Sequence, residues 1–334
     1  MNMICALLKL TLVVASATAA ITTYSAENSA VATNKAKAVR ADFSTAGLQL
    51  WLSASQVEQT GGVITQIASS SSLPEGWVLI KSKGQSFQMG QEFPGRRWTY
   101  TFPVHQVSFT YDFMMAATQV TQAEYKRVAG VNPTKHPGDE QRPIDNVSWF
   151  DAVLYCNALS RREGLDAVYT YSGVTRNPTN NEVVDLPELT IDIKRNGYRL
   201  LTSAEYEFVV RAGTTTTWFF GDSNANQTLA TNYAWCELNA KDKATHPVGQ
   251  LKPNAFGVYD ITGNLWMWCN DWYEGPYPET LQVDPTGPTS GKERIGRGAA
   301  FKNDVNHERS AYHWQWPPQA HNFELGFRVA RTVK

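Results

Sequence analysis

The chain has 334 residues, 30 Lys and Arg against 31 Asp and Glu, and a formal net charge of −1. That balance excludes bulk electrostatic attraction to nucleic acid or to an anionic membrane, and the length admits one large domain or two ordinary ones. Aromatic residues make up 12% with 11 Trp, and neither heptads nor Lys/Arg tracts occur. This favours a compact, irregular, strongly packed domain over a helical bundle.

The first 19 residues read as a secretory signal. Lys9 is followed by the short apolar run Leu10 to Val14, and Ala17-Thr18-Ala19 offers a small-residue cleavage site. The run is too short to span a bilayer. Cys5 precedes it and is not placed for lipid attachment. Export is therefore expected, to the medium, a periplasm or the cell surface. Residues 20–72 read as a flexible tether, poor in periodic apolar residues up to about residue 47. Within it, residues 46–66 look like the opening strand and hairpin of a laminin-G-like sandwich, read as a remnant or as an extra hairpin. Ser69 to Ser72 marks a linker. Cys156, Cys236 and Cys269 remain in the mature chain. An oxidising compartment permits one disulfide, with Cys236–Cys269 the pair considered. Cys156 sits on an apolar helical face and reads as a small buried hydrophobe.

The main domain, residues 73–334, opens with short strand-like pieces at Leu73 to Ile80 and Phe87 to Gly90. The alternating run Pro103 to Phe109 reads as a half-buried strand. Thr121 can cap a helix beginning Gln122-Ala-Glu124. Ser148, with Asp151 three residues on, opens the clearest helix, which Gly164 closes. Residues 166–196 are polar and turn-rich. A second helix is expected over Gly197 to Gly213, capped by Thr202 with Glu205. Glu205 and Glu207 lie two apart and do not share a helix face, so capping and an ion pair to arginine are expected of them rather than acid–base catalysis. Strands are expected at Arg294 to Gly298 and Leu325 to Arg331. Early helices and late short strands make an α+β domain.

The stretch Leu251 to Tyr273 organises the rest. Gly263 and Asn264 suit a tight turn, and Leu265, Trp266, Trp268, Trp272 and Tyr273 are too dense for a solvated loop. A turn leading into a core strand and a turn that also holds a ligand are the two readings. The segment Asn254-Ala-Phe-Gly-Val-Tyr-Asp-Ile-Thr-Gly-Asn-Leu-Trp-Met-Trp268 resembles the signature of the formylglycine-generating enzyme (sulfatase-modifying factor) family. Phe87-x-Met-Gly90 and Gly326-Phe-Arg328 fit it in order, from about Leu73 to Arg331. The resemblance implies a variant of the C-type-lectin fold, with short strands and two main helices.

It also implies what chemistry to look for. Members oxidise a substrate cysteine with O2 and a copper ion held by two cysteines lying between an Arg-Gly-Gly-Ser-type segment and the closing Gly-Phe-Arg. The corresponding residues here, Arg297 to Trp314, contain no cysteine, and Asn303 falls about where the first is expected. Soft thiolates select Cu(I), so copper and oxidase activity are not expected. A family calcium site carries over to Asp260 and the carbonyls of Gly263 and Leu265, with Met267 in place of a Glu. Calcium wants six to eight oxygens, so the thioether weakens the site. A second site would involve Asn232, Tyr233 and Asp242. Calcium stays a candidate ion, and no cofactor is firmly expected.

Between two family-typical strands lie Asn303, His307, Tyr312, His313, Trp314, Trp316, His321, Asn322 and Phe323. Rigid amphipathic rings mixed with Asn recur in binding surfaces. Related C-type-lectin-fold proteins include receptors diversified in their final segment, and many of these residues, though not Trp, lie one or two adenine changes from an Asn codon. An aromatic-rich core is the competing reading. A zinc site at His307, His313 and His321 is a third, without metal-site spacing. The expected function is an exported, non-catalytic ligand-binding protein, monomeric, whose ligand is a protein or a small molecule and not nucleic acid, with surface or envelope association. The alternatives are an oxidase or enzyme-associated factor acting on secreted sulfatases, and a structural envelope protein.

Overall fold

The computed structural model describes residues 73–92, 101–222 and 226–333, together with the backbone of four strands between 39 and 67. The expected signal peptide, most of the tether and the polyserine linker lie outside the described residues. Two compact units divide at Ser72/Leu73. In the first, Val39–Phe43 pairs antiparallel with Leu48–Leu52, and Val57–Thr60 with Val63–Ile67. The first strand lies inside the stretch read as tether. Its sequence, Val-Arg-Ala-Asp-Phe, alternates apolar and charged residues as a strand does.

The second unit is α+β, as the sequence indicated. One four-stranded sheet runs Tyr198–Leu200, Val329–Val333, Asp112–Ala116, Trp77–Ile80, all antiparallel. Another runs His313–Trp316, Arg294–Arg297, Trp266–Trp272, Leu325–Gly326, the last pair parallel. A three-stranded sheet is ordered Gln282–Val283, His105–Ser108, Ser86–Met89. Three helices support them: α1 (Gln122–Ala129), α2 (Trp149–Arg162) and α3 (Ser203–Arg211). Each opens with a capping box, at Thr121/Glu124, Ser148/Asp151 and Thr202/Glu205, as the spacing of hydroxyl and acidic residues dictates.

The Trp266–Trp272 strand lies between two hydrophobic clusters, which is why it reads as a continuous large-residue run. Trp266 and Trp268 enter the cluster around Trp149, Phe301 and Phe327, while Met267 and Cys269 enter the one around Phe113, Val209 and Ile295. Indole N–H groups tie the strand to α2 in both directions: Trp268 Nε1 donates to the Val147 carbonyl at 3.0 Å, and Trp149 Nε1 to the Cys269 carbonyl at 2.9 Å.

Two expectations change. The helix expected from Gly197 begins only at Ser203, because Tyr198–Leu200 pairs with the closing strand at Val329–Arg331. The Cys236–Cys269 disulfide is not formed. Cys156, Cys236 and Cys269 are free and buried, Cys156 in α2, Cys269 in the Trp266–Trp272 strand and Cys236 outside either. The two glutamates separate as expected. Glu205 holds Arg199 through two bonds of 2.7 Å, and Glu207 pairs with Arg211 at 2.9 Å and Arg297 at 3.1 Å.

Candidate functional site

The turn before the central strand is built from the protein's own polar groups. Gly263 has φ +79°, and a Cβ there would lie 2.7 Å from the backbone N and O of Trp235, so only glycine fits. The Asn264 side chain exchanges two hydrogen bonds of 2.9 Å with the His246 backbone. This favours the reading of a turn leading into a core strand. The expected calcium ligands meet a protein donor instead. Gln119 Nε2 donates to the Leu265 carbonyl at 2.9 Å and faces the Gly263 carbonyl at 3.4 Å, placing the positive end of an amide where a cation would sit. Asp260 spends Oδ2 on the Gly249 N–H, and burial raises its carboxyl, which opposes the charged form a hard cation needs. Met267 is buried and supplies no oxygen. In the second expected set, Asp242 Oδ1 instead pairs with His246 Nε2 at 3.1 Å.

Residues 302–323 contain buried and presented side chains. Tyr312 is 5% exposed and His313 fully buried, its ring near Tyr273 and Tyr277. Both belong to the core and not to a binding face: Tyr312 packs in the cluster that holds Trp266, and in the strand opposite Arg294–Arg297 side chains alternate, so that His313 turns inward and Trp314 outward. Trp316 lies against Trp266 and Trp268, partly buried. Asn303 shapes a loop: its Oδ1 accepts the Ala300 N–H at 2.7 Å. Asn322 does likewise for Glu324 at 2.9 Å. His307 is paired with Asp304 and packs on Tyr312. The zinc reading fails: His307, His313 and His321 have separate surroundings, and no metal-holding group of three His, Cys, Asp or Glu occurs among the described residues.

What remains at the surface is Trp314, 39% exposed, and Phe323, 41% exposed. Lys302 Nζ lies 4.8 Å over the Phe323 ring and pairs with Glu324 at 2.5 Å, while His136 packs edge-on to Phe323. The loop carrying Phe323 is fastened to the start of α2. The Trp149 N–H donates to the Pro318 carbonyl and the Asn146 N–H to the Asn322 carbonyl, both at 3.0 Å. The Trp149 amide is one that a helix N-terminus leaves unpaired, and Asn146 lies just before the cap. His321 Nε2 meets Asp151 Oδ2 at 3.1 Å, and Glu182 stands 3.9 Å from its Nδ1. Hydrogen bonding to Asp151 raises the His321 pKa against the opposing effect of burial. Sequence reading placed Lys302 in this segment but missed His136, Asp151 and Glu182 as members of this surface. Asp151 was legible as a cap, but no spacing links it to a histidine 170 positions away.

The three cysteines among the described residues are not activated. Burial pushes the Cys236 thiol up to about 11 and raises those of Cys156 and Cys269 further, so all three are neutral thiols at physiological pH.

Comparison with known proteins agrees with this architecture. The sulfatase-modifying factor enzyme 1-like domain matches residues 66–333. The chaperone protein LppX of Paenibacillus barcinonensis is 32% identical over 236 residues, 66% of this chain and 80% of that protein. The formylglycine-generating enzyme of Mus musculus is 30% identical over 196 residues, 56% of this chain, so the chain matches only 44% of that enzyme's length. The solved structure of Treponema denticola variable protein 1 superposes with a TM-score of 0.65 at 28% identity, covering 77% of this chain and 95% of that one. With its ordered motifs and the domain match over residues 66–333, the chain belongs to the sulfatase-modifying factor (formylglycine-generating enzyme) family.

Proposed function

We propose that this chain is an exported, non-catalytic ligand-binding protein on the sulfatase-modifying-factor scaffold, acting in a periplasm, in the medium or at the cell surface. The observation that carries the reading is the pair of presented rings, Trp314 and Phe323, on a segment otherwise pinned to the core. Large half-exposed aromatics on a rigid base supply contact area at low entropic cost. Supporting it, Arg297 to Trp314 contains no cysteine, and Asn303 uses its side chain on the Ala300 amide. Without thiolates there is no soft ligand set for Cu(I). The likeness to a chaperone protein and to a variable protein points to a polypeptide ligand and to a C-terminal face open to diversification.

The test mixes the purified full chain with a Cys-x-Pro-x-Arg peptide, Cu(I) and O2, under conditions in which a formylglycine-generating enzyme converts it. No aldehyde is expected, and conversion would overturn the non-catalytic reading. Comparing the gene across isolates tests the diversified face. Substitutions should crowd into the exposed Lys302, Asn306, Trp314, Gln319 and Phe323 and spare Tyr312 and His313. Uniform variation would remove the diversified-receptor form of the proposal.

A further inference from the structure

A second surface shares no residue with the 302–323 segment. Ser86–Met89 is the outer strand of its sheet, paired only with His105–Ser108. The Phe109 N–H donates to the Gln85 carbonyl at 3.1 Å, so in this antiparallel pair Phe87 and Met89 direct their main-chain groups to the neighbouring strand. Ser86, Gln88 and Gly90 direct theirs to the other side. At Gly90 both groups are taken by α3: the N–H donates to Glu207 Oε1 at 2.7 Å and the carbonyl accepts from Arg211 Nη2 at 3.0 Å. At Ser86 and Gln88 the ladder stops, and among the described residues no main-chain partner completes it.

A groove of about 700 Å³ opens along this edge. Phe208 and Phe256 line it, their rings 5.8 Å apart, with Phe208 5.5 Å from Phe87. Its charges balance: Lys81 and Arg211 are matched by Glu92 and Asp222 along the same lining. Lys81 also pairs with Asp112 at 3.3 Å and Arg211 with Glu207 at 2.9 Å. The groove therefore offers unpaired main-chain donors and acceptors, an apolar wall and no net charge.

We propose that this edge docks an extended, uncharged segment of a partner polypeptide. The segment adds a strand beside Ser86–Met89 and sets an apolar side chain against Phe208 and Phe256. Strand addition supplies affinity through main-chain hydrogen bonds and selectivity through alternate side chains. At about 3.4 Å per residue, roughly three peptide residues engage both Ser86 and Gln88. This site is independent of the one proposed above and stands or falls without it.

The experiment titrates the full chain into a fluorescent, end-capped peptide of valine and threonine alternating around one phenylalanine, followed by anisotropy. The same peptide N-methylated at the amides that would face the edge is the control. Gln88→Pro is the matching variant, since it removes an outward N–H and leaves the ladder to His105–Ser108 intact. Saturable binding that weakens about tenfold or more on N-methylation and in the variant is expected, on the scale of lost main-chain hydrogen bonds. Equal binding of the N-methylated peptide, or no binding at millimolar concentration, overturns the proposal. If Gln88→Pro fails to fold, the N-methylated peptide decides alone. Self-association of the chain with no peptide binding would assign the edge to a second copy and also overturn it.

Discussion

His321 joins three parts of the surface through one ring: its own loop, Asp151 at the head of α2, and Glu182 in the turn-rich insertion. The hydrogen bond to Asp151 raises its pKa above the ordinary value of about 6.5. Its contribution to stability is therefore complete below about pH 6.5 and is lost as pH rises through the higher folded-state value. Asp151 runs the other way. Burial alone would raise its carboxyl, but hydrogen bonds from His321 and Ser148 outweigh burial and lower it. Its contribution is present above about pH 3.9 and fades as pH falls through the depressed value. We expect the thermal stability of the native chain to fall on going from about pH 6 to pH 8, with His321→Asn flattening that slope. An unaltered slope in the variant would place the titration on another group. At this scale the sequence showed which residue types were present but not their exposure. Trp314 and His313 are adjacent and chemically similar in bulk, yet one faces solvent and the other the core, because strand alternation acts on a register that only pairing with Arg294–Arg297 sets.

At the scale of elements, the three capping boxes were legible because a helix start is a local event, requiring a hydroxyl and an acid three residues apart. The start of α3 was misplaced because Tyr198–Leu200 has helical company in sequence and strand company in space. That strand puts Arg199 against Glu205, with both side chains fully buried. Glu205 also accepts from Tyr111 and caps α3 through the Thr202 N–H. Glu205→Ala should therefore cost about 3–5 kcal/mol, the usual penalty for leaving a buried charge without its partner. Urea unfolding of variant and native chain measures it, and a loss below about 1 kcal/mol would mean that the pair is dispensable.

Across the whole molecule, the buried thiols report on the fold as a unit. Cys156, Cys236 and Cys269 sit in packed surroundings that keep them protonated. We expect them to react with a thiol reagent only on unfolding, at a rate that rises with denaturant alongside loss of the fold. Rapid labelling of Cys236 in the native protein would contradict its place in the core. The sequence by itself determined family and fold class. An ordered series of turn glycines, capping boxes and a dense aromatic strand is a local pattern, and many such patterns in order define one architecture. It also determined which thiols are absent from the 297–314 segment. Only the tertiary structure decided that Gln119 meets the Gly263 and Leu265 carbonyls, that Tyr312 and His313 belong to the core, and that Ser86–Met89 keeps an open edge. Each depends on partners far away in the chain, and burial and pairing across such distances leave no spacing for a sequence to show.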